Sequence, residues 1–339
     1  MTSSNQTSAF KAAIVQHAPV FLNLEESLTK ACRLIEEAAG EGAAVVAFPE
    51  TWLPGYPAWI DSSPKAALWD YPPAKRLFGV LVDNSVSIPG DSIERLANVA
   101  RRTECHVVMG AHERAGGTLY NTMIFVPPDG SGIRLHRKLM PTYTERMVWG
   151  RGDGSTMTVV ETGFGRLGGL ICWEHWMPLA RAAMHAMNET VHVAQWPSVR
   201  DLHRLASRYY AFEGQCFVLA AGTVLSRGDM IEGYRSLGQA DPEVLDLLAS
   251  IPGSADDLIF GGGSGVIGPD SGFVEGPVAG DSCILYAEID PKKITEGQFY
   301  LDTDGHYSRP DVFRLEVNTR PQANVTFSEG EERERGRDG

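Results

Sequence analysis

Residues 168–175 read Gly168-Gly169-Leu170-Ile171-Cys172-Trp173-Glu174-His175. Small and apolar side chains run into a cysteine, and aromatic and polar ones follow at once. The pattern is that of a buried strand stopping where a thiol is displayed, and strand ends are where α/β proteins place their chemistry. A helix is expected from Met177-Pro178, because proline suits a first turn and Leu179, Ala182, Ala183 and Ala186 recur at helical spacing. Cys172 therefore falls on a strand-to-helix corner, where free backbone N–H groups can face a developing negative charge.

Upstream, the same alternation repeats. Ala12 to Gln16 reads as a short buried strand. Asn23 with Glu26 resembles a capping box, opening a helix whose apolar stripe is Leu24, Leu28, Ala31, Ile35 and Ala38. Ala43 to Phe48 is an unbroken apolar run, hence a central strand, closed by Pro49 and followed by Glu50. Thr51 to Val86 is dense in Pro, Trp and Tyr and is read as a pocket wall. A helix opening at Asp91, a strand at Val107 to Gly110, and a hairpin from Leu119 to Lys138 around Pro127-Pro128-Asp129-Gly130 follow.

Downstream, strands are expected at Thr158 to Glu161, Leu167 to Cys172, Val191 to Ala194 and Phe217 to Ala221, with helices after Pro178 and across Leu202 to Phe212. Gly265 to Ile267, Phe273 to Val274 and Ile284 to Ile289 complete the sheet. Ser226 to Gly263 reads as an insertion with one short helix capped at Asp241-Pro242. The order in the two halves is alike enough to expect two related halves facing each other. Residues 1–320 are read as one domain and 321–339 as a charged tail, since Ser328 to Gly339 has no apolar residue.

The chain has 339 residues, 43% of them hydrophobic, enough for a large core. A formal net charge of −13 argues against nucleic acid or an anionic membrane as partner, since both need a basic field. No apolar run approaches the length of a membrane span, and the opening residues lack the layout of a signal peptide, so a cytoplasmic location is expected. The five cysteines are scattered and odd in number, which disfavours a disulfide framework. No C-x-x-C or H-E-x-x-H spacing supports a zinc site. Gly263, Gly265 and Gly268 match a dinucleotide fingerprint by spacing but precede a strand and turn rather than a helix.

Three side chains stand at comparable points: Glu50 just past a strand, Lys138 at the end of another, and Cys172. If their strands are neighbours, a carboxylate, an ammonium and a thiol converge. The lysine is then expected to lower the thiol pKa, and burial to let Glu50 accept a proton. Such a trio suits attack on an electrophilic carbon bound to nitrogen. A different pairing, Cys172 with His136, would give a Cys-His hydrolase, since His136 alternates onto the strand face of Lys138.

Four stretches carry a resemblance: Phe48 to Pro57; Arg137 to Thr142, running on through Glu145-Arg146 to Trp149-Gly150-Arg151-Gly152-Asp153-Gly154; Leu170 to His175; and Gly305-His306-Tyr307-Ser308-Arg309-Pro310-Asp311-Val312. With these, the sequence resembles the nitrilase branch of the carbon-nitrogen hydrolase (nitrilase) superfamily. The resemblance implies a four-layer α-β-β-α sandwich with Glu50, Lys138 and Cys172 as catalytic triad. Glu145 is implied as a second glutamate that holds Lys138 and helps position water. It further implies hydrolysis of an organic nitrile to acid and ammonia through a Cys172 thioimidate and thioester, with no cofactor. Dimers extending into spirals or filaments are implied as well. Trp173 and His175 are expected to border the substrate pocket, with Tyr56 a further candidate. An amidase or carbamoylase, a cyanide-degrading enzyme, or a non-catalytic relative are the competing expectations.

Overall fold

The computed structural model describes residues 8–323 and Val325. The first half runs β1 (Phe10–Gln16), α1 (Leu24–Gly40), β2 (Ala43–Ala47), α2 (Trp59–Ser62), α3 (Pro72–Asp83), α4 (Asp91–Thr103), β3 (His106–Ala115), β4 (Thr118–Val126) and β5 (Arg134–Arg137). The second continues with β6 (Val159–Thr162), β7 (Gly165–Ile171), α5 (Pro178–His185), β8 (Val191–Gln195), α6 (Asp201–Gly214), β9 (Phe217–Ala221) and β10 (Val224–Ser226). It closes with α7 (Arg227–Arg235), α8 (Pro242–Ala249), β11 (Leu258–Ile267), β12 (Phe273–Ala279), β13 (Cys283–Ile289) and α9 (Lys292–Gln298).

Two sheets result. One has the order β13-β1-β2-β3-β4-β5; the other runs β10-β11-β9-β8-β7-β6, with β12 paired to β11. Each is built on three parallel strands joined through helices, β1-β2-β3 in one and β7-β8-β9 in the other, with antiparallel strands on the flanks. The two halves are thus alike in plan, and β13 returns from the second half to close the first sheet against β1.

Unbroken apolar strands follow from burial on both faces. Ala12 and Ile14 of β1, with Val45 and Ala47 of β2, face the core between the sheets, where they join Met123, Leu170 and Val193. Ala13, Val15 and Val46, from the opposite faces, pack against α1 and α4. Helix α1 buries Leu28, Ala31, Leu34 and Ile35 there, the large side chains contributing roughly 1.5–3 kcal/mol each. On the far side, α6 lays Ala206, Tyr210 and Ala211 against β9. The layering is α-β-β-α, as the sequence leads one to expect.

Several boundaries move. Strand β3 extends to Ala115, five residues beyond the expected end, and turns through Gly116-Gly117 into β4. The polar run His112-Glu113-Arg114 hides that extension, because polar side chains can be buried when paired: Glu113 takes Thr122 and Arg137. Helix α4 begins at Asp91 itself, with Gly90 at its cap. The insertion carries two helices rather than one, since α7 precedes α8. The segment after Glu50 holds α2 and α3. Of the expected C-terminal tail, Asn324 and residues 326–339 lie outside the described residues.

Candidate active site

The C-terminal ends of the central strands of both sheets meet at one point. Gln195 Nε2, at the end of β8, donates to the Phe48 carbonyl just past β2 at 2.8 Å, which ties one sheet end to the other. Glu50 N–H faces the Trp196 carbonyl at 3.4 Å across the same seam. Cys172 follows β7 directly and opens a short 3-10 turn to Trp176, after which α5 starts at Pro178. Its φ is +54°, a left-handed conformation that costs a non-glycine residue about 1–3 kcal/mol. Thr51 (φ +43°) and Tyr143 (φ +49°), beside the same site, share it.

The two glycines of the opening stretch make close approaches. A Cβ on Gly169 would stand 2.6 Å from both Met123 Sδ of the facing sheet and the Val193 carbonyl. One on Gly168 would stand 2.0 Å from Glu189 Oε1. Only glycine at both positions lets the strand leading to Cys172 sit this deep.

Glu50, Lys138, Glu145 and Cys172 converge. Lys138 Nζ donates to Glu50 Oε1 at 2.8 Å and to Glu145 Oε2 at 2.6 Å. One donor atom each from Glu50, Glu145 and Cys172 lie within 4.8 Å of one another. All four side chains are buried. Such a donor set could hold a cation, and the Lys138 ammonium, bonded to both carboxylates, already supplies one. Glu145 is further fixed by the Thr142 N–H at 2.6 Å and the Tyr56 hydroxyl at 2.8 Å. Asn121 Nδ2, on β4, donates to Glu50 Oε1 at 2.6 Å, while Glu50 Oε2 has no hydrogen-bond partner among the described residues.

Burial governs the charges. Desolvation lifts the Glu50 carboxyl to about 7, against the pull of Lys138 and with a push from Glu145. Desolvation opposes the Lys138 ammonium too, but Cys172, Glu50 and Glu145 surround it and keep it well above its ordinary value. The Cys172 thiol behaves opposite to expectation. Desolvation and then Glu50 push it well up, and Lys138 offsets only part of this. The resting sulfur is a thiol, so a base must take its proton during attack.

A cavity of about 390 Å³ opens over Cys172, lined by Tyr56, Glu145 and Trp173, with Asp61 and Arg200 also on its wall. The Thr51–Val86 segment supplies Tyr56, Ala58, Asp61 and Ser62 to that wall. Trp173 is 46% exposed and lies on the wall, not in the core. His175 does not line the cavity. The 3-10 turn carries it back beneath Cys172, where it is buried and its Nδ1 lies 2.7 Å from the Cys172 carbonyl. His136 is also removed from the thiol: its nitrogens are taken by the Thr156 carbonyl and Glu174. Glu174 accepts from Ile171 N–H and Leu139 N–H as well, pinning the lysine and cysteine segments together. The Gly305 to Val312 stretch lies away from this cavity and, with α5, borders a different one of about 490 Å³.

Asn121 is the site residue that sequence reading passes over. Its signal is a polar pair, Asn121-Thr122, inside an otherwise apolar strand; both are buried, which demands partners.

The carbon-nitrogen hydrolase family matches residues 11–298. The chain is 37% identical to a nitrilase of Bradyrhizobium diazoefficiens over 326 residues, 96% of this chain and 97% of that protein. It is 38% identical to an aliphatic nitrilase of Sinorhizobium fredii over 316 residues, 93% of this chain and 98% of that protein. Among solved structures, a carbon-nitrogen hydrolase from Helicobacter pylori shares the fold with a TM-score of 0.65 at 20% identity, covering 90% of this chain and 97% of that one. With two stacked sheets, a buried glutamate–lysine–cysteine cluster at their ends and this match across most of its length, the chain belongs to the carbon-nitrogen hydrolase family.

Proposed function

We propose that this enzyme is a nitrilase, converting an organic nitrile and two waters to a carboxylic acid and ammonia. The observation that carries the reading is the buried Glu50–Lys138–Cys172 cluster, with Cys172 on the wall of a cavity of about 390 Å³. Relatives named nitrilase and aliphatic nitrilase, matched over nearly the whole chain, support nitriles over amides.

Glu50 Oε2, the carboxylate oxygen left unpartnered, takes the Cys172 proton as sulfur adds to the nitrile carbon. Glu50 passes that proton to the nitrogen, whose growing electron density meets the positive charge and remaining N–H of Lys138, giving a thioimidate. A first water, positioned by Glu145 and activated by Glu50, adds to that carbon. Glu50 carries both protons of that water to the nitrogen, which leaves as ammonia, and the sulfur retains the acyl group as a thioester. A second water releases the acid and restores the thiol. Trp173 and Tyr56 border the space in which the substrate carbon chain would lie.

Feeding purified protein matched nitriles and amides tests this. Acid and ammonia from nitriles, faster than from amides, support the reading; faster turnover of amides replaces it with an amidase. Ammonia with formate or formamide from cyanide alone would indicate the cyanide-degrading alternative. A Cys-His hydrolase is disfavoured because both His136 nitrogens are engaged elsewhere.

The working form is a homo-oligomer, a dimer extending into spirals or filaments. Support comes from the resemblance and from the apolar side chains that α5 and α6 leave exposed, among them Leu179, Leu202, Leu205 and Tyr209. A cytoplasmic location is supported by five cysteines that form no disulfide. Among the described residues, no helix is long and apolar enough to cross a membrane.

A further inference from the structure

The Cys172 carbonyl heads a line of buried polar groups that the chemistry above does not use. His175 Nδ1 lies 2.7 Å from Cys172 O, and His175 Nε2 lies 3.0 Å from His192 Nε2. His192 Nδ1 lies 2.9 and 3.0 Å from the two oxygens of Glu189, and the Tyr210 hydroxyl donates to Glu189 Oε2 at 2.5 Å. His175, His192, Glu189 and Tyr210 are all buried.

Hydrogen-bond chemistry leaves one arrangement of protons with both rings neutral. A carbonyl oxygen only accepts, so His175 carries its hydrogen on Nδ1 and offers a lone pair at Nε2. His192 must donate from Nε2, which leaves its own Nδ1 bare. A bare nitrogen facing a carboxyl needs that carboxyl to donate, so the proton at the end of the line belongs to Glu189. Its other oxygen then accepts from Tyr210, and every position is filled.

We propose that Glu189 is a positioning residue for the nucleophile: an un-ionised carboxyl that sets the tautomers of His192 and His175, so that His175 Nδ1–H pins the Cys172 carbonyl. The proposal rests on the reading of Cys172 as nucleophile. Because the peptide is planar and trans, pinning the carbonyl fixes the Trp173 N–H in the opposite direction, away from His175. It also holds Cys172 in its left-handed conformation. Gly168 makes room for the carboxyl, since any Cβ there would collide with Glu189 Oε1.

The surroundings agree. Desolvation raises Glu189 to about 8, with Tyr210 and His185 pulling it down, and desolvation first, then His192, lowers His175 to about 3. From α5, His185 packs on Tyr210 with ring centroids 4.5 Å apart, and Arg181 Nη1 donates to the His175 carbonyl at 3.0 Å. From α6, Glu213 accepts from Arg181 and pairs with His185. Cys216 flanks Glu189 and Tyr210, while Glu174 and His136, paired with each other, act on His192 from the other side. Ionising Glu189 draws the His192 hydrogen to Nδ1. Two lone pairs then face each other between the rings, unless His175 switches tautomer and releases the Cys172 carbonyl.

The test is nitrile hydrolysis across pH by wild type, Glu189→Gln and Glu189→Ala. Glutamine is un-ionised at every pH, and its amide donates to His192 while its oxygen accepts from Tyr210. Wild type should lose activity as pH rises through about 8; Glu189→Gln should keep most of kcat and lack that alkaline fall, whereas Glu189→Ala should lose about 10–100-fold in kcat. Glutamine as damaging as alanine in folded protein, or an alkaline fall unmoved by glutamine, overturns the proposal. A wild type that turns over no nitrile sinks the nucleophile reading instead. Should Glu189→Gln fail to fold, ¹⁵N-histidine NMR of wild type near neutral pH decides: Nδ1–H on His175 with Nε2–H on His192 supports the proposal, and a doubly protonated His192 overturns it.

Discussion

Glu50 divides its two oxygens between holding and reacting. Oε1 is occupied by Lys138 and Asn121, and Oε2 is left for the thiol proton. Glu50→Gln should therefore cut turnover by about 10²–10⁴-fold in folded protein, checked by initial rates beside circular dichroism. The base must be ionised to act. Because burial lifts Glu50 to about 7, the rate should climb as pH rises through that value and be lost below it. Asn121→Ala frees Oε1 of a donor, stabilising the carboxylate less, so its acid limb should move to higher pH; a limb that stays in place contradicts the assigned role. Glu189 supplies a second titration. Its folded value, about 8, exceeds the ordinary 4.5, so the stability it contributes is fully present below pH 4.5 and is lost as pH rises to about 8. Glu189→Gln should therefore gain in melting temperature relative to wild type as the buffer is made more alkaline. At this scale the sequence sets Glu50 and Cys172 just past apolar runs, whereas Lys138 follows Arg134-Leu135-His136-Arg137, and only the resemblance joins the three. It hides Asn121, whose partner Glu50 is 71 residues away, and the tie from the local His192–Glu189 pair to His175, which only the packing of β8 against the turn after β7 creates.

The short turn after Cys172 is where element-level reading departs most from the structure. Spacing points to a helix from Pro178 and leaves residues 172–176 open, yet they form a 3-10 turn, and three residues per turn place His175 under Cys172 instead of on the cavity wall. Helices α2 and α7 are short, and α3 opens on Pro72-Pro73 inside an aromatic-rich stretch that reads as a pocket wall, which masks its Ala74, Leu77 and Leu81 stripe. Strand β3 shows how an element positions chemistry. A Cβ on Gly110 would stand 2.1 Å from the Pro49 carbonyl and 2.6 Å from Thr51 N, on either side of Glu50. Gly110→Ala should push that loop off β3, costing about 1–3 kcal/mol of stability by overpacking. It should also lower kcat, measured by thermal unfolding and by rates on the same preparation. Full activity with unchanged melting would show that the loop is not seated by β3.

Two sheets stacked through a shared core bring residues 88 and 122 positions from Glu50 (138 − 50 and 172 − 50) into one cluster. Strand rhythm shows two related halves, with strands apolar on both faces, and the resemblance implies the four layers. What the rhythm could not convey is which strand ends meet, because that depends on the Gln195–Phe48 tie and on Gly169 admitting Met123 from the facing sheet. The proposed self-association would use the outer layers, where α5 and α6 leave apolar side chains exposed. Leu205, 57% exposed on α6, replaced by Glu should reduce the particle to a smaller species in light scattering; an unchanged size would place the contact elsewhere. The central claim is that a single sulfur atom at the junction of the sheets carries the substrate carbon. Intact-protein and peptide mass spectrometry, after mixing enzyme with a slowly hydrolysed nitrile and quenching in acid, tests it directly. The account predicts an acyl or imidoyl mass increment on the peptide containing Cys172, absent in Cys172→Ala, which turns over no substrate. An adduct on another cysteine, or nitrile turnover surviving in Cys172→Ala, would contradict it.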